Sequence, residues 1–362
     1  PLLDGTPVID VHGHLSSPPQ VRAYAYNLIS LRSPGDGELV LADEAVDAAR
    51  KRHIRVLDER NIDRQLLSPR PAAMMHWEQP FIVATWTRVT NNLIAQMCRL
   101  EPDRFAGVGQ LPQNAALATG NCLEELERCV TELGFVGAVV NPDPGADSRT
   151  PGMDSDYWYP LYRKAEELGA TLVVHPSVSR DPRIEPLSHS YQFNNLVQET
   201  LATALLEQSD VFTEFPGLKI VVCHGGGAPR RLLAEGDVLD NSVPQPQAVR
   251  PSGEQAGGQV GITLAGTAHS GPAGDGQLFF DTCCYDPHFL NAVVRQRGAD
   301  RMLFGTEAPG SGTHLVNPGT GRPADDVLAT LRSLGALSGA QLGDVVYANA
   351  LRAFPLLAKA VA

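Results

Sequence analysis

Short apolar runs recur along the chain, and most are followed by a longer stretch whose apolar residues fall at helical spacing. Runs at residues 8–11, 65–68, 105–110, 136–140, 171–174, 219–223, 278–281 and 302–304 read as buried strands. Amphipathic segments at 44–59, 89–100, 122–133, 157–168, 200–215 and 287–297 read as helices, and 336–360 reads as additional C-terminal helices. Eight strands alternating with helices in a chain of this length predict a (β/α)8 TIM barrel, not an open sheet. One stretch breaks the rhythm. Residues 240–276 are rich in Gly, Pro, Gln and Ser, with weak periodicity, and read as a surface insertion between strands six and seven. No internal repeat or second domain is visible, so 1–362 reads as a single domain.

Composition narrows the partners. The chain has 362 residues, 43% of them hydrophobic, and a formal net charge of −12. That is globular, long enough for one large core, and the acidic balance without a Lys/Arg run argues against nucleic acid. An anionic small molecule would need a local basic pocket. No apolar stretch reaches the roughly 20 residues of a membrane span, and no signal peptide is visible. Cys98, Cys122, Cys129, Cys223, Cys283 and Cys284 show no CxxC spacing. They read as small buried residues of a reduced, cytoplasmic protein. Barrels with long insertions often pair, so a homo-oligomer is expected.

The chemistry is concentrated at strand ends, where barrels of this kind carry their reactive groups. Strand one leads into Asp10-Val11-His12-Gly13-His14. Alternation along an extended strand puts His12 and His14 on one face, half of a divalent-metal site, with Asp10 beside them to orient a ligand. Strand five ends in Val174-His175-Pro176, strand six in Cys223-His224 before Gly225-Gly226-Gly227, and strand eight leads to Gly305-Thr306-Glu307. Any one of these histidines alone reads as a satisfied core residue; together they read as a site. His12, His14, His175 and Glu307 would bind one divalent metal, zinc or manganese, leaving room for water or substrate. Strand four ends Asn141-Pro142-Asp143-Pro144, without a lysine to bridge two ions. His224, beside the metal, is the candidate general acid or base.

These motifs resemble the amidohydrolase superfamily, in particular the branch of metal-dependent decarboxylases and hydratases of aromatic catabolism. Leu67-Ser68-Pro69-Arg70-Pro71 with Met74-Met75, Asn141-Pro142-Asp143-Pro144, Trp158-Tyr159-Pro160-Leu161-Tyr162, His224-Gly225-Gly226-Gly227 and Gly305-Thr306-Glu307-Ala308-Pro309-Gly310 are similar to 4-oxalomesaconate hydratases. The likeness spans nearly the whole chain outside 240–276. It implies a lyase, a hydro-lyase that adds water to the C=C bond of an unsaturated oxo-polycarboxylate. His224 and Glu307 would move protons, and Arg70 would hold a substrate carboxylate through its planar fork. Asn141, His76, Tyr159 and Asn195 are candidates for the pocket wall, and the glycine turn after His224 for close backbone approach. The resemblance also carries alternatives: a non-oxidative decarboxylase of a hydroxylated aromatic acid or a muconate semialdehyde, and a one-metal amide or lactone hydrolase. Those branches usually carry aspartate where this chain has Glu307. The chain matches the pattern weakly between His175 and Thr200, where Ser177, Arg180, Asn194 and Asn195 could line the pocket.

Overall fold

The computed structural model describes residues 5–33, 39–228 and 276–361. The eight expected strands form one parallel sheet in sequential order. They are β1 (Ile9–His14), β2 (Arg64–Ser68), β3 (Phe105–Gln110), β4 (Gly137–Val140), β5 (Thr171–Val174), β6 (Lys219–Val222), β7 (Leu278–Asp281) and β8 (Met302–Leu303). The sheet closes where β8 meets β1: the Val11 amide donates to the Phe304 carbonyl at 2.8 Å, and the Glu307 amide to the His12 carbonyl at 2.7 Å. The result is the expected (β/α)8 barrel.

Helices α1 (Pro19–Leu31), α2 (Asp43–Glu59), α3 (Pro80–Leu100), α4 (Leu123–Thr131), α5 (Tyr159–Leu168), α6 (Ser190–Gln208), α7 (Val211–Glu214) and α8 (Pro287–Arg297) surround the strands. Three depart from the sequence reading. Helix α1 lacks a clear apolar stripe and was not anticipated. Helix α3 begins nine residues early, at a proline in its first turn, where a missing N–H costs nothing. The segment expected at 200–215 is two helices, broken at Ser209, whose backbone is extended. Helix α6 starts ten residues earlier than expected because its first turns carry polar residues that hide the helical period. The expected insertion lies, from 240 to 275, outside the described residues.

Alternate strand residues serve two apolar layers. Leu67, Phe105, Val140, Leu172, Val222 and Phe280 pack with helix side chains on the outside. Ile9, Leu66, Val108, Val139, Val173, Val221, Phe279 and Leu303 form a separate inner cluster. Ala350, Ala353, Phe354 and Leu357 from the C-terminal helices join that inner cluster. The hydroxyl of Thr171, the first residue of β5, donates to the Ala353 carbonyl at 2.6 Å, so these helices plug the amino-terminal end of the barrel. The opposite end is left for chemistry. All six cysteines are free thiols. Among the described residues no helix is long and apolar enough to cross a membrane.

Strand β1 is not regular. Asp10 pairs with Gln65 and Gly13 with Leu67, so three steps of β1 lie against two of β2. This bulge corrects the expectation that Asp10 shares a face with His12 and His14. Asp10 Oδ2 accepts from Gln65 Nε2 at 2.7 Å, and Gly13 faces the same glutamine. The two histidine rings turn the other way, toward His175, with centroids 5.1 and 5.3 Å from it. The bulge explains the glycine between them: a Cβ on Gly13 would stand 2.0 Å from Gln65 Cδ. Gly13→Ala is expected to destabilise the fold by about 1–3 kcal/mol, the usual cost of overpacking. Denaturant unfolding checks this, and an unchanged midpoint would show that Gln65 can move aside.

Candidate metal centre and active site

The carboxyl ends of β1, β5 and β8 bring His12, His14, His175 and Glu307 together, all buried. One ligand atom from each lies within 4.8 Å of the others. The hydrogen bonds around the rings decide which nitrogens are open. His12 Nδ1 donates to Asp281 Oδ2 at 2.8 Å. His14 Nδ1 lies 2.9 Å from Ser68 Oγ, whose hydroxyl donates to the Gly13 carbonyl and so accepts from the ring. His175 Nδ1 donates to the Pro176 carbonyl at 2.7 Å. Each ring therefore keeps its proton on Nδ1 and turns an Nε2 lone pair inward.

Those lone pairs face one another. His12 Nε2 and His14 Nε2 are 3.3 Å apart, and Glu307 Oε1 is 3.5 Å from His14 Nε2. His175 Nε2 is buried without a hydrogen-bond partner among the described residues. Protons do not relieve the crowding easily. Burial pushes His14 down to about 4, and burial together with His224, His12 and His14 pushes His175 well below its usual range. Burial opposes the charge of Glu307, yet the adjacent His14, then His224 and His12, hold its carboxyl well below the usual range. Three converging lone pairs and one carboxylate, each ring braced from behind, fit a divalent cation.

Glu307 stands at φ 63°, a left-handed backbone that aims its side chain back over the barrel. Oε1 faces the histidines, while Oε2 accepts from Tyr285 Oη and from Ser311 Oγ, each at 3.0 Å. His224, also left-handed at φ 49°, opens the turn after β6. Its ring lies 5.1 Å from that of His12 and 5.0 Å from that of His175, outside the four-ligand group. His224 Nδ1 donates to Glu199 Oε1 at 2.7 Å, and the His224 amide donates to Asp281 Oδ1 at 2.8 Å. Burial opposes a charge on His224, but Glu199, Asp281 and Glu307 outweigh it and raise its pKa to about 10. Burial raises Glu199 to about 7 against the pull of His224. The pair therefore holds a proton through the neutral range.

Asp281, Glu199, Tyr191, Tyr285 and Ser311 were not anticipated. Asp281 had a signal: it ends the predicted seventh strand, level with the other strand-end groups. Tyr191, Asn195 and Glu199 recur every four residues, on one face of α6. Asn195 is buried with its Oδ1 unpartnered, beside the Tyr191 hydroxyl. Arg70, two residues after β2, is exposed; among the described residues its one hydrogen bond is a long one, from Nη2 to the Pro309 carbonyl at 3.4 Å.

Five further candidates are placed differently. Asn141 Nδ2 donates to His76 Nδ1 at 3.2 Å, while His76 Nε2 donates to the Leu111 carbonyl at 3.2 Å. That buried pair ties the loops after β2, β3 and β4 together. Tyr159 is not brought to the cluster: its ring packs 5.0 Å from Phe215 and 6.4 Å from Tyr162 in the outer helical layer, because it begins α5. Ser177 Oγ donates to the Pro71 carbonyl, and Asn194 Nδ2 to the Ser177 carbonyl, so both brace loops. The glycine turn after His224 has positive φ at all three residues, and a Cβ on Gly226 would stand 2.4 Å from Phe280. Packing alone therefore demands glycine there.

Comparison with known proteins agrees with this fold. The profile of the amidohydrolase family matches residues 9–356. A 2-keto-4-carboxy-3-hexenedioate hydratase of Sphingobium sp. (strain NBRC 103272 / SYK-6) is 29% identical over 357 residues, 97% of this chain and 96% of that one. The crystal structure of a 4-oxalomesaconate hydratase from Rhodopseudomonas palustris superposes with a TM-score of 0.78 at 27% identity, covering 98% of this chain and 97% of the other. A dihydroxybenzoic acid decarboxylase from Polaromonas sp. JS666, solved with bound manganese, shares the fold with a TM-score of 0.64 at 20% identity, over 97% and 98% of the two chains.

Proposed function

Because the chain belongs to the amidohydrolase family, we propose that it is a metal-dependent hydro-lyase that hydrates the C=C bond of an unsaturated oxo-polycarboxylate, with 4-oxalomesaconate as substrate and 4-carboxy-4-hydroxy-2-oxoadipate as product. The observation that carries this reading is Glu307: it occupies the strand-eight position at glutamate length, while near-full-length similarity runs to hydratases. His12, His14 and His175 through Nε2, with Glu307, would hold one divalent ion, zinc by the donor set and manganese as the second choice. Such an ion supplies Lewis-acid charge, which stabilises an oxyanion and makes water more acidic.

The protein's own groups do the rest. Water adds one hydroxyl to the alkene carbon β to the oxo group and one proton to its neighbour, so no bond to a carboxylate breaks. His224, held by Glu199 and Asp281 with its proton, delivers that proton from its inward nitrogen to the neighbouring carbon, and the proton that the water gives up replaces it. Tyr285 and Ser311 fix the orientation of Glu307, the second candidate for proton movement. Arg70 supplies the basic point that an acidic protein needs locally for a polycarboxylate.

Arg70→Met is expected to raise KM for the polycarboxylate about tenfold or more, since a charge-assisted bond contributes roughly 1.5–3 kcal/mol. Steady-state kinetics check this, and an unchanged KM would remove Arg70 from binding. The reading as a whole is tested by following loss of the conjugated ultraviolet absorbance of 4-oxalomesaconate with metal-loaded protein. Absence of turnover together with ready decarboxylation of a dihydroxybenzoate would replace it with the decarboxylase reading, which similarity to γ-resorcylate decarboxylases supports over 76% of the chain.

A further inference from the structure

We infer that His53 of α2 and Gln65 of β2, neither of which reaches the ligand cluster, are positioning residues that hold Glu307 and the histidine strand in working geometry. The inference rests on the hydratase reading only for its effect on turnover. Its structural part concerns the metal ligands alone.

The chain of bonds has one consistent assignment. Gln65 Nε2 lies 2.7 Å from Asp10 Oδ2 and 2.6 Å from the Ala308 carbonyl. Both are acceptors, so this end of the side chain must be the NH2 group, which has two hydrogens for two acceptors. Gln65 Oε1 then faces His53 Nε2 at 2.7 Å, and the histidine must donate. His53 is fully buried, and among the described residues its Nδ1 has no hydrogen-bond partner, so there this is its one hydrogen bond. Without that donor Gln65 Oε1, itself buried, loses the histidine that holds this end of the side chain in place.

The other side of the network grips Glu307. Asp10 Oδ1 accepts from the amides of His12 at 2.9 Å and Thr306 at 3.1 Å. Asp10 Oδ2 accepts from the Thr306 hydroxyl at 2.6 Å, which in turn accepts from the Ala308 amide at 3.0 Å. Thr306 and Ala308 flank Glu307, so the residues on both sides of it are tied to Asp10 and Gln65. The Glu307 amide itself donates to the His12 carbonyl. A left-handed φ at a residue with a side chain persists only when its surroundings over-determine it. Here they do so through Asp10 and Gln65. The same glutamine fills the space beside Gly13, between the two ligand histidines. One side chain thus braces β1 and the strand-eight loop together.

The test uses cobalt(II)-loaded full-length protein, because visible cobalt bands report ligand geometry without any substrate. His53→Leu and Gln65→Met keep apolar volume but remove the donor or the whole network. Both are expected to alter the cobalt spectrum, weaken cobalt binding by about 10- to 100-fold and lower kcat more than they raise KM. His53→Gln, which restores an N–H toward Gln65 Oε1, is expected to return spectrum and affinity close to those of the unaltered protein. If both disruptive variants keep spectrum and cobalt affinity while only Tm falls, the residues are structural and the inference is overturned. If spectrum and affinity change but 4-oxalomesaconate is turned over by no form of the protein, the positioning role stands and the hydratase reading fails.

Discussion

Replacing His224 with asparagine is expected to lower kcat by about 10²- to 10⁴-fold, the usual contribution of a positioned general acid or base, while metal content stays at one ion per chain. Asparagine is the informative choice because His224 sits at φ 49°, and asparagine tolerates that left-handed backbone better than most residues. The turn after β6 should therefore survive, and with it the His224 amide bond to Asp281 that helps keep Asp281 aimed at His12. What is lost is the inward nitrogen and the proton that Glu199 helps it hold. A variant with near-normal kcat would remove His224 from proton transfer and leave Glu307 as the main candidate. A variant that loses its metal would show that His224 acts on the ligand cluster.

Dialysis against a chelator is expected to abolish turnover and lower Tm, with both restored by adding back one equivalent of zinc or manganese. The reason lies in the bare cluster. Three imidazole lone pairs and a carboxylate face one another in a buried space, and burial resists protonation of His14 and His175. A cation neutralises that arrangement, so binding favours the folded state, by about 4 kcal/mol when free metal is 1,000 times its Kd. Calorimetry with and without metal measures the stability part. Undiminished turnover by protein shown to be metal-free would contradict the assignment of the four ligands.

Much of this centre is visible in the chain before any fold is known. His175, His224 and Glu307 follow short apolar runs that read as strand ends in a barrel, and in that architecture their convergence follows. What stayed hidden is geometry that no local pattern encodes. The bulge in β1 moves Asp10 off the histidine face, where it meets the side chain of Gln65, 55 residues away in sequence. The partner of His12 is Asp281, 269 residues on. Glu199 was masked because polar residues facing the site obscure the first turns of α6. Tyr159 shows the opposite failure: a motif likeness suggested the pocket, whereas its ring serves the helical layer.

The most direct test of hydration is to identify the product. Metal-loaded protein is incubated with 4-oxalomesaconate, carbon NMR assigns the product carbons, and released carbon dioxide is trapped and quantified. The account predicts a new hydroxyl-bearing carbon, every carboxylate retained and no carbon dioxide. Stoichiometric carbon dioxide, or substrate left unchanged by fully loaded protein, would contradict it.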